Sequence, residues 1–128
     1  MILVDANVII GYLKRPDPKV LGLFQSHQAA VCGITRAEVL HGARNPADRQ
    51  RLLLQLNALA QVTIPPSIWD TVGDVLAALR AVGVTVPFPD VVLACVAVEY
   101  GLQLWTRDQH FALMQPVLPQ LILFQEPP

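Results

Sequence analysis

Short apolar runs alternate along this chain with longer segments in which apolar residues recur at helical spacing. The short runs cover residues 2–4, 29–34, 62–64, 102–106 and 121–124. Because they are too short for helices and mostly apolar at consecutive positions, they are typical of strands buried on both faces of a parallel sheet. Parallel strands need crossover connections, and the intervening helices can provide them. The sequence therefore predicts a three-layer α/β/α fold, with a central parallel sheet of four to five strands and helices on both faces.

The composition indicates a folded chain with a large core. Hydrophobic residues make up 53 % of the 128 residues and charged residues 15 %, a balance that excludes intrinsic disorder. The length predicts a single domain over residues 1–128, with a short loose tail from about residue 125. No apolar run is long enough for a membrane span, and the first residues lack the basic segment of a signal peptide. Since Cys32 and Cys95 lie in apolar surroundings, we expect reduced, buried thiols and a cytoplasmic protein.

Four acidic residues are expected at one edge of this sheet. Asp5 directly follows the first predicted strand and Asp108 follows the fourth, and the carboxyl ends of parallel strands form the edge where open α/β sheets bind ligands. Asp90 opens the apolar helix that leads into the fourth strand, and Glu38 lies one turn into the helix after the second. Each also has a structural interpretation. Thr35 and Glu38 have the spacing of a capping box. Asp90 can be the N-cap of its helix, and Asp108 can be an acidic residue of the turn after the fourth strand.

Four carboxylates at one place imply a cation. They cannot all be ionised within a few ångströms of each other unless a positive charge neutralises them. A site with oxygen ligands alone suits Mg²⁺ or Mn²⁺ rather than Zn²⁺. Such an ion makes a bound water more acidic, and that water can attack a phosphodiester. The acids therefore predict metal-dependent hydrolysis of a phosphodiester.

Four short blocks resemble, in order and spacing, the signature blocks of the PIN-domain nucleases. They are Val4-Asp5-Ala6-Asn7, Thr35-Arg36-Ala37-Glu38, Asp90 with Leu93-Ala94, and Leu104-Trp105-Thr106-Arg107-Asp108. Together they span essentially the whole chain. Within the family the resemblance is strongest to the VapC-type toxins of toxin–antitoxin pairs, which are compact single-domain ribonucleases of about this length.

The resemblance implies a metal-dependent endoribonuclease that cleaves RNA with metal-activated water and acts as the toxin of a VapBC-type pair. The catalytic residues and ligands of Mg²⁺ or Mn²⁺ that it implies are Asp5, Glu38, Asp90 and Asp108. Asn7 and Thr106 would orient the acids or the bound water, and Thr35 would cap its helix and could hydrogen-bond into the site. The implied partners are an RNA substrate, a cognate VapB-type antitoxin and a second copy of the chain in a homodimer.

The end of the fourth block departs from the family pattern. Members often have another acid a residue or two after the position of Asp108, where this chain has Gln109 and His110. Asp108 is then the only candidate for the fourth ligand, and it would bind the metal directly or through a water molecule. The sequence gives His110 no functional role. The net charge of −1 gives no basic footprint for nucleic acid. Phosphate contacts are expected from Arg107, which stands beside Asp108, and from Arg36, although Arg36 belongs to a group of arginines around Glu38 that is more typical of a solvated helix face.

Other functions stay open at this point. One is an RNA-processing PIN nuclease outside any toxin pair, and another is an inactive PIN-like binding module, which the presence of all four acids disfavours. Phosphoryl transfer through an aspartyl phosphate needs a downstream lysine near the phosphoryl group. The only lysines here are Lys14 and Lys19, and Asn7 stands where such phosphatases need a second Asp.

Overall fold

Within residues 1–127, which the computed structural model describes, four parallel strands form the central sheet. They are β1 (Ile2–Val4), β2 (Ala29–Cys32), β3 (Ala60–Val62) and β4 (Gln103–Trp105), in the order β3-β2-β1-β4. Leu104 also forms one parallel bridge with Leu123, so the strand predicted at 121–124 contributes only that bridge beside β4. The predicted parallel sheet of four to five strands is confirmed.

Six α-helices and one 3-10 helix connect the strands in the described part of the chain. They are α1 (Ala6–Lys14), α2 (Pro18–Gln25), α3 (Gly33–His41), α4 (Pro46–Asn57), α5 (Ile68–Ala81), α6 (Phe88–Glu99) and the 3-10 helix Gln109–Met114. The start of α2 follows from local chemistry, since the Asp17 side chain accepts a hydrogen bond from the Lys19 N–H and Pro18 fits the first helical position. None of the described helices combines the length and the hydropathy that crossing a membrane requires.

Alternate residues of β1 enter different cores on the two faces of the sheet. Leu3 packs among side chains of α5 and α6, whereas Ile2 and Val4 pack among side chains of α1, α3 and α4. This alternation follows from the two-residue period of a strand. Helices therefore cover both faces of the sheet, and the predicted three-layer architecture is confirmed.

Helix α6 lies inside the core on the α5 side of the sheet. Its residues from Val91 to Ala97 are each at most 1 % exposed, and burying one large apolar side chain stabilises a fold by ~1.5–3 kcal/mol. Cys95 of this helix and Cys32 of β2 are both buried and free, as expected. The buried helix fixes its own first turn, which carries Asp90, at the carboxyl end of the sheet.

The segment from residue 125 contacts the sheet at Glu126. The Glu126 carboxylate accepts hydrogen bonds from Trp105 Nε1 at 2.7 Å and from Arg107 Nε at 2.8 Å. Trp105 itself is fully buried at the end of β4. Glu126, within the segment expected to be a loose tail, is thus hydrogen-bonded next to the residues that follow β4, whereas Pro128, the last residue of that segment, lies outside the described residues.

Candidate metal centre

Asp5 is a buried carboxylate that caps a helix. It follows β1 directly, is 4 % exposed and stands at the N-cap of α1. Its Oδ1 accepts from the Ala6 N–H and its Oδ2 from the Thr106 hydroxyl, both at 2.8 Å. Burial raises the pKa of Asp5, the two hydrogen bonds oppose that rise, and the charges of Asp90 and Asp108 add to it. The side chain is held in one orientation where its negative charge is unfavourable without a cation.

Thr106 and Asn7 join the end of β4 to the start of α1. While the Thr106 hydroxyl donates to Asp5, its oxygen accepts from Asn7 Nδ2 at 3.3 Å and from the Asp108 N–H at 3.0 Å. Asn7 Oδ1 in turn accepts from the Arg107 N–H at 3.2 Å. Asn7 therefore orients Thr106, and Thr106 orients Asp5 and the backbone before Asp108.

Thr35 lies inside α3 and does not cap it. The helix begins at Gly33 with Cys32 at the cap position, so the predicted capping box of Thr35 and Glu38 is wrong. The Thr35 side chain is buried, and its hydroxyl donates to the Val4 carbonyl at 2.8 Å. Because that hydroxyl bonds to β1, it is not available to the helix N-terminus. It instead fixes α3 against the last residue before Asp5.

Glu38 lies on α3 one turn after Thr35 and interacts electrostatically with two of the other acids. Partial desolvation raises the pKa of Glu38, and the negative charges of Asp5 and Asp90 raise it further. These are the same acids that interact with each other, since Asp90 and Asp108 also raise the pKa of Asp5. The four predicted acids therefore lie around one edge of the sheet, with Asp5 within electrostatic reach of the other three.

His110 bridges Asp90 and Asp108. Helix α6 begins at Phe88, which places Asp90 within the first turn rather than at the N-cap, and the N-cap interpretation of Asp90 is therefore wrong. Its Oδ2 lies 2.6 Å from His110 Nε2, and Asp108 Oδ1 lies 2.8 Å from His110 Nδ1. One ligand atom from each of the three side chains lies within 4.8 Å of the others, close enough to hold one metal ion.

Sequence reasoning missed His110. The signal that could have found it was its place two residues after Asp108, where the family pattern often has another acid. The position keeps a metal-ligating residue type, although the ligand changes from carboxylate oxygen to imidazole nitrogen.

The two candidate arginines differ in what they contact. Arg36 donates through Nη1 to Asn57 Oδ1 at 2.9 Å and to Gln61 Oε1 at 3.2 Å, which directs it toward α4 and β3. Arg107 stands next to Asp108 and packs its Nη1 over Gly11, where a Cβ atom would lie only 2.6 Å away. Arg107 is thus the arginine at the edge of the acidic site.

Comparisons with known proteins agree with this geometry. The PIN domain family model matches residues 2–115. Ribonuclease VapC21 of Mycobacterium tuberculosis (strain ATCC 25618 / H37Rv) is 31 % identical over 94 residues, which cover 71 % of this chain and 68 % of that protein.

Solved structures with the same fold include two VapBC structures. In VapBC2 from Rickettsia felis, bound to a DNA fragment from its promoter, one chain matches with a TM-score of 0.82 at 19 % identity, covering 97 % of this chain and 98 % of that one. VapBC-1 from nontypeable Haemophilus influenzae matches with a TM-score of 0.81 at 20 % identity, covering 98 % of each chain. At these identities the likeness establishes the fold alone.

Proposed function

This chain belongs to the PIN domain family, and from that premise we propose that it is a metal-dependent endoribonuclease, the toxin of a VapBC-type toxin–antitoxin pair. The observation that carries the proposal is that Asp5, at the end of β1, interacts electrostatically with Glu38 of α3, Asp90 of α6 and Asp108 after β4. The named relative, a ribonuclease, supports RNA as the substrate. The proposed catalytic acids and metal ligands are Asp5, Glu38, Asp90 and Asp108.

The donor set fits a divalent cation. Burial and neighbouring charges raise the pKa of both Asp5 and Glu38, and a cation would relieve the repulsion that contributes to these shifts. Asp90, Asp108 and His110 already bring ligand atoms within 4.8 Å of one another. Bound Mg²⁺ or Mn²⁺ would supply an acidified water for attack on the phosphodiester and would neutralise charge on the phosphate.

The residues around the acids fix their orientation. Thr106 and the Ala6 N–H hold the two oxygens of Asp5, and Asn7 holds Thr106. Thr35 ties α3, which carries Glu38, to the carbonyl before Asp5. Such fixed donors and acceptors reduce the reorganisation that each turnover would otherwise need.

We assign the phosphate contact to Arg107 rather than Arg36. The Arg107–Glu126 ion pair is partly exposed, at 40 % and 36 % of the two side chains, and a pair of this kind contributes only ~0–1 kcal/mol. A substrate phosphate could therefore replace Glu126 as the partner of Arg107 at little cost. Arg36 is directed toward Asn57 and Gln61 instead.

An apolar cleft between α1, α2 and α4 is the proposed binding site for the antitoxin. It encloses about 290 Å³, and its apolar lining includes Ile9, Tyr12, Leu21, Phe24 and Leu59. Clefts of this kind accept apolar side chains from one face of a partner helix. A VapB-type antitoxin is the proposed occupant because the structural neighbours are toxin–antitoxin assemblies. We also propose a homodimer and a cytoplasmic location.

A VapB-type antitoxin would be encoded by a short reading frame directly upstream, and the product of such a frame tests the antitoxin assignment. Leu21 is 37 % exposed, so Leu21→Lys should leave the fold unchanged and weaken capture of that product by tenfold or more, roughly the effect of placing a charge in an apolar contact. Unchanged capture would place the antitoxin elsewhere. An upstream product that does not bind, together with normal growth on expression, would favour the RNA-processing alternative. Light scattering on the purified chain checks the homodimer.

Cleavage of total cellular RNA tests the nuclease itself. We expect cleavage with Mg²⁺ or Mn²⁺, none with EDTA, and none from Asp90→Asn. Asp74→Asn is the matched control, because Asp74 is an exposed acid on α5 outside the cluster. Cleavage that survives EDTA would refute the metal mechanism. Products ending in a 2′,3′-cyclic phosphate would instead indicate attack by the RNA 2′-hydroxyl. A folded chain that binds no Mn²⁺ would support the inactive binding module.

A further inference from the structure

We infer that His110 ligates the metal directly through Nε2, beside Asp90, and that Asp108 orients the imidazole instead of ligating the ion itself. This inference rests on the proposed metal-dependent function and replaces the all-oxygen ligand set with a mixed one. It also changes the ion that the site should prefer.

The position of the imidazole is fixed by its surroundings. His110 lies in the 3-10 helix Gln109–Met114, and its ring stacks on Phe111 with centroids 5.1 Å apart and an interplanar angle of 20°. Phe111 is itself fully buried in the α6 core. A ring held in this way presents each nitrogen in one direction, as a ligand on a preformed site must.

Each nitrogen contacts one carboxylate, Asp90 on Nε2 and Asp108 on Nδ1, and the different burial of these two carboxylates assigns the roles. A metal-bound histidine commonly donates its other N–H to a carboxylate, and the 2.8 Å contact of Nδ1 with Asp108 Oδ1 has this form. That arrangement leaves Nε2 directed at Asp90 Oδ2, 2.6 Å away. Two ligands about 2.1 Å from an octahedral ion stand roughly 3 Å apart. A widening of a few tenths of an ångström would therefore let Nε2 and Asp90 share an ion.

The burial of the acids also favours an ion on the Nε2 side of His110, next to Asp90. Asp5 is 4 % exposed and the Asp90 side chain 16 %, and their charges interact. The Asp108 side chain is 47 % exposed and contacts the other ring nitrogen, Nδ1. An ion bound between Asp5, Asp90 and His110 would be shielded from solvent, and Asp108 would remain its outer partner.

A nitrogen ligand predicts a preference for Mn²⁺ over Mg²⁺. Mg²⁺ takes oxygen ligands almost exclusively, whereas first-row transition ions accept imidazole nitrogen. Replacing His110 should therefore reduce the affinity for Mn²⁺ more than the affinity for Mg²⁺.

Pulsed electron paramagnetic resonance of bound Mn²⁺ tests this assignment. The wild-type chain should show the ¹⁴N modulation of a directly bound imidazole, which should become a ¹⁵N pattern when histidine is labelled with ¹⁵N. His110→Asn should lose the modulation and bind Mn²⁺ at least about tenfold more weakly. Asp108→Asn should keep it.

His27→Asn is the matched control. His27 is exposed before β2, at the opposite end of the sheet, and its φ of 60° lies in the left-handed region that Asn tolerates. This variant should keep both the modulation and the affinity. If wild-type protein binds Mn²⁺ without ¹⁴N modulation, the inference is overturned and the metal-dependent nuclease stands. If Asp108→Asn abolishes Mn²⁺ binding, Asp108 is a ligand and the inference is equally overturned. A folded wild-type chain that binds no Mn²⁺ refutes the proposed function as well.

Discussion

Replacing Gly11 by Ala should separate the stability of the chain from its binding of RNA. A Cβ at this position would lie 2.6 Å from Arg107 Nη1, whereas comfortable contacts begin near 3.5 Å, so the guanidinium must move by about 1 Å. The displaced atom is the far end of a flexible side chain, and the ion pair with Glu126 that it strains contributes at most ~1 kcal/mol. Ala in place of Gly inside a helix contributes about 1 kcal/mol in the opposite direction. We expect a free energy of unfolding between unchanged and about 1 kcal/mol higher.

The same substitution should weaken RNA binding because Arg107 is displaced. A hydrogen bond to a charged group contributes ~1.5–3 kcal/mol, so complete loss of the phosphate contact corresponds to a roughly 10- to 100-fold higher KM. A displaced Arg107 should give a smaller rise, about three- to tenfold, with kcat changed less. Arg107→Ala measures the upper limit. The assays are urea unfolding and steady-state cleavage of a labelled RNA.

Gly73→Ala provides the matched control. Gly73 lies inside α5, and a Cβ there would meet nothing within 4 Å, so the variant should be about 1 kcal/mol more stable and keep the wild-type KM. Two results would contradict the reasoning. A wild-type KM in both Gly11→Ala and Arg107→Ala would exclude Arg107 from substrate binding. A loss of more than about 1 kcal/mol would mean that the Arg107 side chain cannot move aside as argued.

Two further substitutions in the site should change the stability of the folded chain. Asp5→Asn should abolish cleavage, and in EDTA it should stabilise the chain at neutral pH. Because burial raises the pKa of Asp5, the folded chain holds this proton more tightly than the unfolded chain, so stability falls as pH rises above the ordinary value of 3.8. Urea unfolding should therefore give Asp5→Asn a higher free energy of unfolding than the wild-type chain at pH 7, and this difference should disappear below pH 4. A difference that does not change with pH would argue against the charge of Asp5 as its cause. Thr35→Val should lower the free energy of unfolding by ~1–3 kcal/mol, because it leaves the buried Val4 carbonyl without this donor. Thermal unfolding measures the effect, and wild-type stability of the variant would show that the hydrogen bond contributes nothing.

The sheet and the position of Asp5 could be predicted because local signals and tertiary structure agree there. Residues 2–4 are a short apolar run that ends in an acid, and the run forms β1 with every residue buried. The sequence predicts the third strand at 62–64, and the structure has it at Ala60–Val62. Pairing with β2 sets its register, through Ala30 with Ala60 and Cys32 with Val62, and local propensity carries no information about that pairing.

The start of α6 shows how a sound local rule can give the wrong boundary. Phe88 precedes Pro89, and residues before proline avoid the helical region, so the sequence predicts an extended Phe88. The helix nevertheless begins at Phe88, because the first turn tolerates a proline whose missing N–H would have no partner. The shift moves Asp90 from the cap into the first turn. Its carboxylate then meets His110, a residue 20 positions away that no local pattern connects to it.

The site has a rigid half and an exposed half, and the fold explains both. Asp5 and Asp90 are fixed to buried elements, β1 and α6, while Arg107 and Asp108 stand on the exposed connection that follows β4. Buried elements position a charge accurately but cannot adjust to a substrate, whereas an exposed connection can. The rigid half should therefore determine the affinity for the ion and the exposed half the affinity for RNA. Substitutions at Asp90 should then change the affinity for Mn²⁺, and substitutions at Arg107 should change KM for RNA. Because Asp108 stands on the exposed connection and also contacts His110, substitutions at Asp108 should change both quantities.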